Sequence, residues 1–295
     1  METQLPTPRY NMGEVTFGNA VYLFGGYDGT YLTDILKFNP ATSQISTVGH
    51  MAYPREAPTV FSNGTGVFIL GGDGPVNQPN SAVEFFNPST RTDTVLSITT
   101  PTPLSAEGLA QIGGYVYLLG GKTGTAFSTE TNQILRFDPS TLTFTVLTAT
   151  LPAPLEAWWG TTVSDGKAVI LGGIFADDTM SNQVVEFNPT DGSVSVAATL
   201  PFSLYVSVAP RADKVFAFGG SVADIAPSLR SILRFNSASN QVSKLSCRLP
   251  YPVASEAIAT VPGGYFLFGG LDKVGSGRFP AETYSSIVFV SQSSL

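Results

Sequence analysis

Acidic and aromatic side chains recur at one register of this 295-residue chain. A repeated second proline, or its counterpart, falls at Pro8, Pro54, Pro103, Pro154, Ser203 and Pro252. Two residues beyond it lie Tyr10, Glu56, Ser105, Glu156, Tyr205 and Ala254, and four residues beyond it lie Met12, Pro58, Glu107, Trp158, Ser207 and Glu256. On an extended strand side chains alternate, so both sets are expected on one side. Glu56, Glu107, Glu156 and Glu256, with Tyr10 and Tyr205, would then gather at one place. Carboxylates about 8 Å apart repel by about 2 kcal/mol, enough to hold one protonated beside an ionised neighbour, which is the arrangement of a general acid and base. The same acids would also attract a cation, and Trp158 and Trp159 would offer it a π face. A purely structural use, hydrogen bonding to neighbouring backbone or to water, stands beside both readings. Arg9 and Arg55 each precede a member of the first set and are placed for salt bridges nearby.

Metal chemistry is poorly served. The single cysteine, Cys247, excludes an internal disulfide or a thiolate-rich site and reads as a small core residue. The single histidine, His50, sits in a polar stretch beside Gly49 and reads as part of a surface turn. Asp177 and Asp178 could supply oxygen ligands, but no spaced Asp-x-Asp-x-Asp-Gly loop accompanies them. No metal and no cofactor is expected.

The elements that position these residues follow from internal repetition. A short apolar run ending in Gly-Gly occurs six times, at Gly25-Gly26, Gly71-Gly72, Gly120-Gly121, Gly172-Gly173, Gly219-Gly220 and Gly269-Gly270, with spacings of 46, 49, 52, 47 and 50 residues. The runs VYLF, VFIL, VYLL, AVIL, VFAF and YFLF are continuous apolar segments, as expected of strands buried on both faces. Downstream, segments such as ILKFNPATSQIS and ILRFDPSTLTFTV read as strand, Asn/Asp-Pro turn and strand. Proline cannot donate to a sheet ladder, so LPTP at Leu5, TPTP at Thr100, LPAP at Leu151 and LPYP at Leu249 read as crossings between repeats. Six four-stranded sheets that each bury both faces need neighbours on both sides, which radial packing supplies. One domain over residues 1–295 is the expectation. The glycine pairs are expected to allow positive φ and close approach of the next repeat rather than to bind phosphate. The sixth repeat ends after a third strand, and only Met1 to Gln4 remain to lie beside it.

Loops between the second and third strands of the repeats would surround the same place. They carry Tyr27, Asp28, Tyr31, Asp73, Lys122, Asp177, Asp178, Asp224, Arg230, Asp272, Lys273, Arg278, Glu282 and Tyr284. Of these, Tyr27, Asp28, Asp73, Lys122, Asp177, Arg278 and Tyr284, with the two tryptophans, are the candidates for holding a ligand.

Charged residues make up 13% of the chain and the net charge is -7, so a nucleic-acid backbone or an anionic lipid surface would be repelled on average. No apolar stretch is long enough to span a membrane and no signal peptide is visible. The default expectation is a monomer in the cytoplasm, the compartment itself being undetermined.

The first repeat, VYLFGGYDGTYLTDILKFNP, resembles the kelch motif, and the six copies cover essentially the whole chain. Phe38, Phe86, Phe137, Phe187 and Phe235 stand where that motif usually has Tyr, and Ile45, Phe144, Val194 and Val242 stand near its usual Trp. The resemblance implies an all-β, six-bladed β-propeller of four-stranded antiparallel blades. It implies two kinds of function. One is a binding module that offers an acidic, aromatic-flanked mouth to a peptide, a protein or a small polar or cationic ligand. The other is a metal-free enzyme of isomerase, epimerase, lyase or cyclase type with paired glutamates as acid and base, as in the kelch propellers that are sialic acid mutarotases. The iron-binding Glu, Asp and His series of the kelch proteins that redirect glucosinolate breakdown, and the copper site of galactose oxidase, find no match here.

Overall fold

The computed structural model describes residues 4–124, 129–157, 161–222, 227–272 and 282–295. Their strands form six antiparallel blade sheets of the all-β, six-bladed propeller class. In blade one the strands Gly13–Phe17, Ala20–Phe24, Asp34–Asn39 and Gln44–His50 follow one another in space as in sequence. Blades three, four and five repeat this order, beginning at Gly108, Thr161 and Tyr205. Among the described residues blade six has three strands, Ala257–Val261, Gly264–Phe268 and Ile287–Ser291. Beside its third strand the amino-terminal segment makes a single bridge, Gln4 to Ser286, and Leu5 N–H donates to the Ser285 carbonyl at 2.7 Å. The described helices are two single-turn 3-10 segments, so no helix among the described residues is long and apolar enough to cross a membrane.

The chain divides into two compact units. One holds residues 1–105, 256–271 and 283–294; the other holds 106–255, 272–282 and 295. In the first, Val21, Leu23, Leu36 and Phe38 of blade one pack against Ala257, Ala259 and Phe268 of blade six, while Tyr22, Phe24 and Ile35 pack against Val60, Ile69 and Phe86 of blade two. In the second, Tyr117, Leu119 and Ile134 meet Ile170, Val185 and Phe187, and Val169 and Leu171 meet Val206, Val215, Ala217 and Phe235. Each second strand therefore buries both faces, as its continuous apolar run requires. The five Phe residues in the motif's Tyr position are fully buried. A phenylalanine there carries no hydroxyl in need of a partner.

The glycine pairs are joints between blades. Gly25 and Gly26 have φ of 58° and 96°, a Cβ on Gly25 would run into the Arg55 carbonyl, and that carbonyl accepts from Gly26 N–H at 2.9 Å. The same joint ties Gly269-Gly270 to Arg9, Gly120-Gly121 to Leu155, Gly172-Gly173 to Leu204 and Gly219-Gly220 to Val253.

Three local expectations are corrected. Thr100 to Pro103 do not form a crossing: they lie inside the fourth strand of blade two, Thr92–Leu104. Pairing jumps there from Ala82–Thr99 to Asn80–Leu104, so the prolines occupy a bulge that asks no N–H of them. His50 ends a strand rather than sitting in a turn, exposed, with Nδ1 3.3 Å from Asp34. Cys247 is partly exposed on the outer strand Gln241–Arg248 rather than in the core, because that strand has a solvent side.

Candidate functional site

In blades one, two, four and five the residue two after the recurring proline or its counterpart, Tyr10, Glu56, Glu156 or Tyr205, pairs with the residue that follows the glycine pair, Tyr27, Asp73, Ile174 or Ser221. In blade one Tyr10 and Tyr27 exchange backbone hydrogen bonds of 3.1 and 2.9 Å; in blade two Glu56 and Asp73 exchange two of 2.8 Å. Partners in such a pair present their side chains together on one side of the ladder. Blade one thus places two phenols side by side, with ring centroids 5.7 Å apart, and blade two places the half-buried Glu56 beside the buried Asp73.

Further contacts draw these pairs together within the first unit. Tyr31 bridges to Tyr27 and sets its ring edge-on at 5.1 Å. Its hydroxyl donates to Asn77 Oδ1 on the loop of blade two. Burial pushes the Tyr31 phenol above its ordinary pKa, and the charges of Glu56 and then Asp73 push it the same way. Both carboxylates are therefore electrostatic neighbours of the phenol. Asn11 follows Tyr10 and donates from Nδ2 to Glu56 Oε1, while its carbonyl accepts from Ala57 N–H at 2.6 Å. The sequence reading did not single out Asn11 or Asn77; nothing short of the fold shows that either faces a carboxylate or a phenol of another segment.

The expectation that both registers share one side is overturned. Asn11, Ala57, Ala106 and Ser255 lie between the two sets with φ of 57°, 51°, 56° and 61°. A left-handed residue breaks the alternation on which the expectation rested. Met12 is enclosed against Leu5, Val21 and Phe268, and Glu107 and Glu256 are 3% and 0% exposed. Two of the four glutamates are thus buried, whereas Glu56 and Glu156 are half-buried. Arg55 is also buried, and it turns from Glu56 to Glu84, with Nε at 2.9 Å and Nη2 at 2.6 Å from Oε1. Arg9 pairs with Asp34 at 3.1 Å. Both arginines thus form nearby salt bridges, as expected of them.

Other candidates have local duties. Asp28 accepts from Thr30 N–H and Oγ1 at 3.2 and 2.9 Å, and Asp177 accepts from Thr179 N–H and Oγ1 at 3.1 and 2.5 Å. Each closes its own Asp-x-Thr loop, and these hydrogen bonds hold the Asp177 carboxyl below its ordinary pKa. Tyr205 is buried, bridged to Ser221, with its hydroxyl 2.8 Å from Ser255 Oγ. Glu156, half-buried, pairs with Ile174 in the second unit, and Lys122 bridges to Glu130. The half-buried Tyr284 joins chain segments by its backbone: its carbonyl accepts from Arg9 N–H and its N–H donates to Gly270. Trp158, Trp159 and Arg278, with Asp224 and Lys273, lie outside the described residues. A carboxylate the sequence reading passed over is Glu14, on the first strand of blade one, whose pKa burial pushes up to about 8. Among the described residues no three His, Cys, Asp or Glu side chains come close enough to hold a metal ion.

Blades with glycine joints and backbone bridge pairs define the class: a six-bladed kelch propeller. Residues 11–202 match the profile of the KLHDC2/KLHL20/DRC7 Kelch-repeats domain, and the chain belongs to this kelch-repeat family. It is 25% identical over 285 residues to Kelch domain-containing protein 10 of Rattus norvegicus, covering 85% of this chain and 68% of that protein. The Homo sapiens counterpart gives the same identity, with 63% of its length spanned. A Kelch domain-containing protein of Archaeoglobus fulgidus is 27% identical over 268 residues, covering 86% of this chain and 74% of the relative. The chain thus spans about two thirds of the length of the mammalian relatives. Kelch propellers generally serve as protein-binding modules.

Proposed function

We propose that this chain is a kelch-type binding module that receives a peptide or protein on the face formed by the bridge positions of blades one and two. The observation that carries this reading is the pairing of two half-buried phenols, Tyr10 and Tyr27, next to the pair formed by the half-buried Glu56 and the buried Asp73. Tyrosine offers large, stiff, amphipathic contact area, and acids beside it favour a partner of opposite charge. Tyr10, Tyr27, Tyr31 and Glu56 are half-buried, so they keep surface to offer. The enzymatic alternative draws less support, since two of its four glutamates, Glu107 and Glu256, are buried.

The test is selection from a random peptide-display library against the intact chain, repeated with Tyr27→Ala and Glu56→Gln. Peptides enriched on the wild type should bind either variant at least about tenfold more weakly, a loss of about 1.4 kcal/mol. Peptides that bind all three chains equally would remove the binding role from this face.

A further inference from the structure

The hairpin that joins the first two strands of blade two, Thr59–Ser62 and Val67–Leu70, turns through Asn63-Gly64-Thr65-Gly66 at the end of the blade away from the Glu56–Asp73 bridge. Asn63, Gly64 and Thr65 are exposed, and no other asparagine of the chain is followed by glycine. The Asn63 side-chain carbonyl accepts three hydrogen bonds, from Thr65 N–H at 3.0 Å, Thr65 Oγ1 at 2.8 Å and Gly66 N–H at 3.1 Å. Donors on a carbonyl oxygen make its carbon more electrophilic and stabilise negative charge that develops on the oxygen, as in the oxyanion holes of acyl transfer. The next backbone nitrogen, that of Gly64, donates to Ser62 Oγ at 3.0 Å, and that hydroxyl donates in turn to the Gly66 carbonyl at 3.0 Å. An attacking atom, an acceptor for its proton and a polarised carbonyl thus stand in one turn. Gly64 has φ of 86° and nothing within 4 Å of where a Cβ would lie, so no side chain screens its nitrogen.

We infer that Asn63-Gly64 is a site of self-modification, at which the folded hairpin deamidates its own asparagine. The Gly64 nitrogen gives up its proton and bonds to Asn63 Cγ. The Cγ–Nδ2 bond breaks, and the side-chain nitrogen leaves with that proton as ammonia, closing a succinimide ring. Water then opens the ring: attack at Cγ gives aspartate on the original backbone, and attack at the main-chain carbonyl carbon of residue 63 gives isoaspartate, whose backbone is longer by a methylene. Both reacting groups belong to neighbouring residues, so no encounter has to be arranged. Either product places a negative charge where the fold already accepts one, since the corresponding hairpin of blade four turns on Asp165-Gly166. The isoaspartyl product also lengthens the connection between two paired strands. Because this turn lies at the other end of blade two from the bridge positions, the inference does not depend on the binding reading.

The test incubates the intact chain below its melting temperature at neutral and at mildly alkaline pH, with peptide mapping by mass spectrometry and chromatographic separation of the aspartyl and isoaspartyl products. Asn19 is the internal control, being exposed in the corresponding hairpin of blade one but followed by Ala20. Asn63 should convert at least about tenfold faster than Asn19, which has a Cβ beside the attacking nitrogen. The rate should climb with pH, because that nitrogen must lose its proton to attack. Thr65→Val removes the hydroxyl donor from the Asn63 oxygen and should slow conversion by about threefold to tenfold, the worth of one hydrogen bond. Asn63→Ser removes the reacting amide, keeps an oxygen for the turn, and should abolish the new acidic species seen by isoelectric focusing. Melting temperatures of both variants check that the fold is kept. Conversion of Asn63 no faster than that of Asn19, a rate untouched by Thr65→Val, or conversion that begins only where the chain unfolds overturns the inference.

Discussion

Asp93 stands in a position that other blades fill with an apolar side chain. Phe38, Phe137, Phe187 and Phe235 face Ile45, Phe144, Val194 and Val242 across the ladder, but Phe86 faces Asp93. Burial above all, then its hydrogen bond with Glu84 and the charge of Glu84, raise its pKa to about 7 against the lowering by Ala52 N–H and Arg55. The folded chain therefore holds a proton on Asp93 up to about pH 7, whereas an unfolded Asp releases it near 3.8. Stability from this proton is fully present below the lower value and is lost as pH rises toward the upper one. Asp93→Val should abolish that slope. It should stabilise the chain by about 1–2 kcal/mol at pH 8, with the gain shrinking toward pH 5, as read from urea midpoints at both pH values. Ala52 N–H keeps its 2.6 Å bond to Glu84 Oε2 in the variant, so no donor is orphaned. Parallel pH curves for the two chains would refute this account. The sequence alone showed Asp93 as one acid in a polar stretch; its partner Phe86 and its slot follow only from the strand register.

At the scale of the element, the glycine joint is the device to test. Gly172 has φ of 70°, and a Cβ there would collide with the Leu204 carbonyl, the same carbonyl that takes the Gly173 N–H at 3.0 Å. Gly172→Ala combines left-handed strain with that clash and should cost about 3 kcal/mol or more, measured by chemical denaturation. Gly192→Ala is the control: its φ is 72°, with open space where the Cβ would go, so only the backbone strain remains. If the two variants lose equal stability, blade docking contributes nothing to the first. This joint was legible in advance, because six Gly-Gly pairs recurring every 46 to 52 residues after apolar runs have few physical uses. The left-handed residue at Asn11, Ala57, Ala106 and Ser255 was not, because its residue types are as varied as those of any loop and carry no signature of positive φ. That one dihedral is why blade architecture could be read from sequence while the direction of Glu107 and Glu256 could not.

For the molecule as a whole, blade six is the exceptional member. Among the described residues its sheet ends at the strand Ile287–Ser291, and Phe289 on that strand is 48% exposed. An apolar edge strand is a template for pairing with another chain. Phe289→Lys should reduce self-association at high protein concentration, measured by light scattering, with little change in melting temperature; unchanged scattering would show that this edge is not sticky.

The bridge pairs join through their main chains whatever their side chains, and that has a consequence for how such a fold can change its preferences. Tyr10 with Tyr27, Glu56 with Asp73 and Glu156 with Ile174 occupy the same geometry with unrelated chemistry. Lettering on a signboard can be repainted without touching the posts. A kelch blade of this design separates what keeps it upright from what it advertises, so new recognition can be installed two residues at a time.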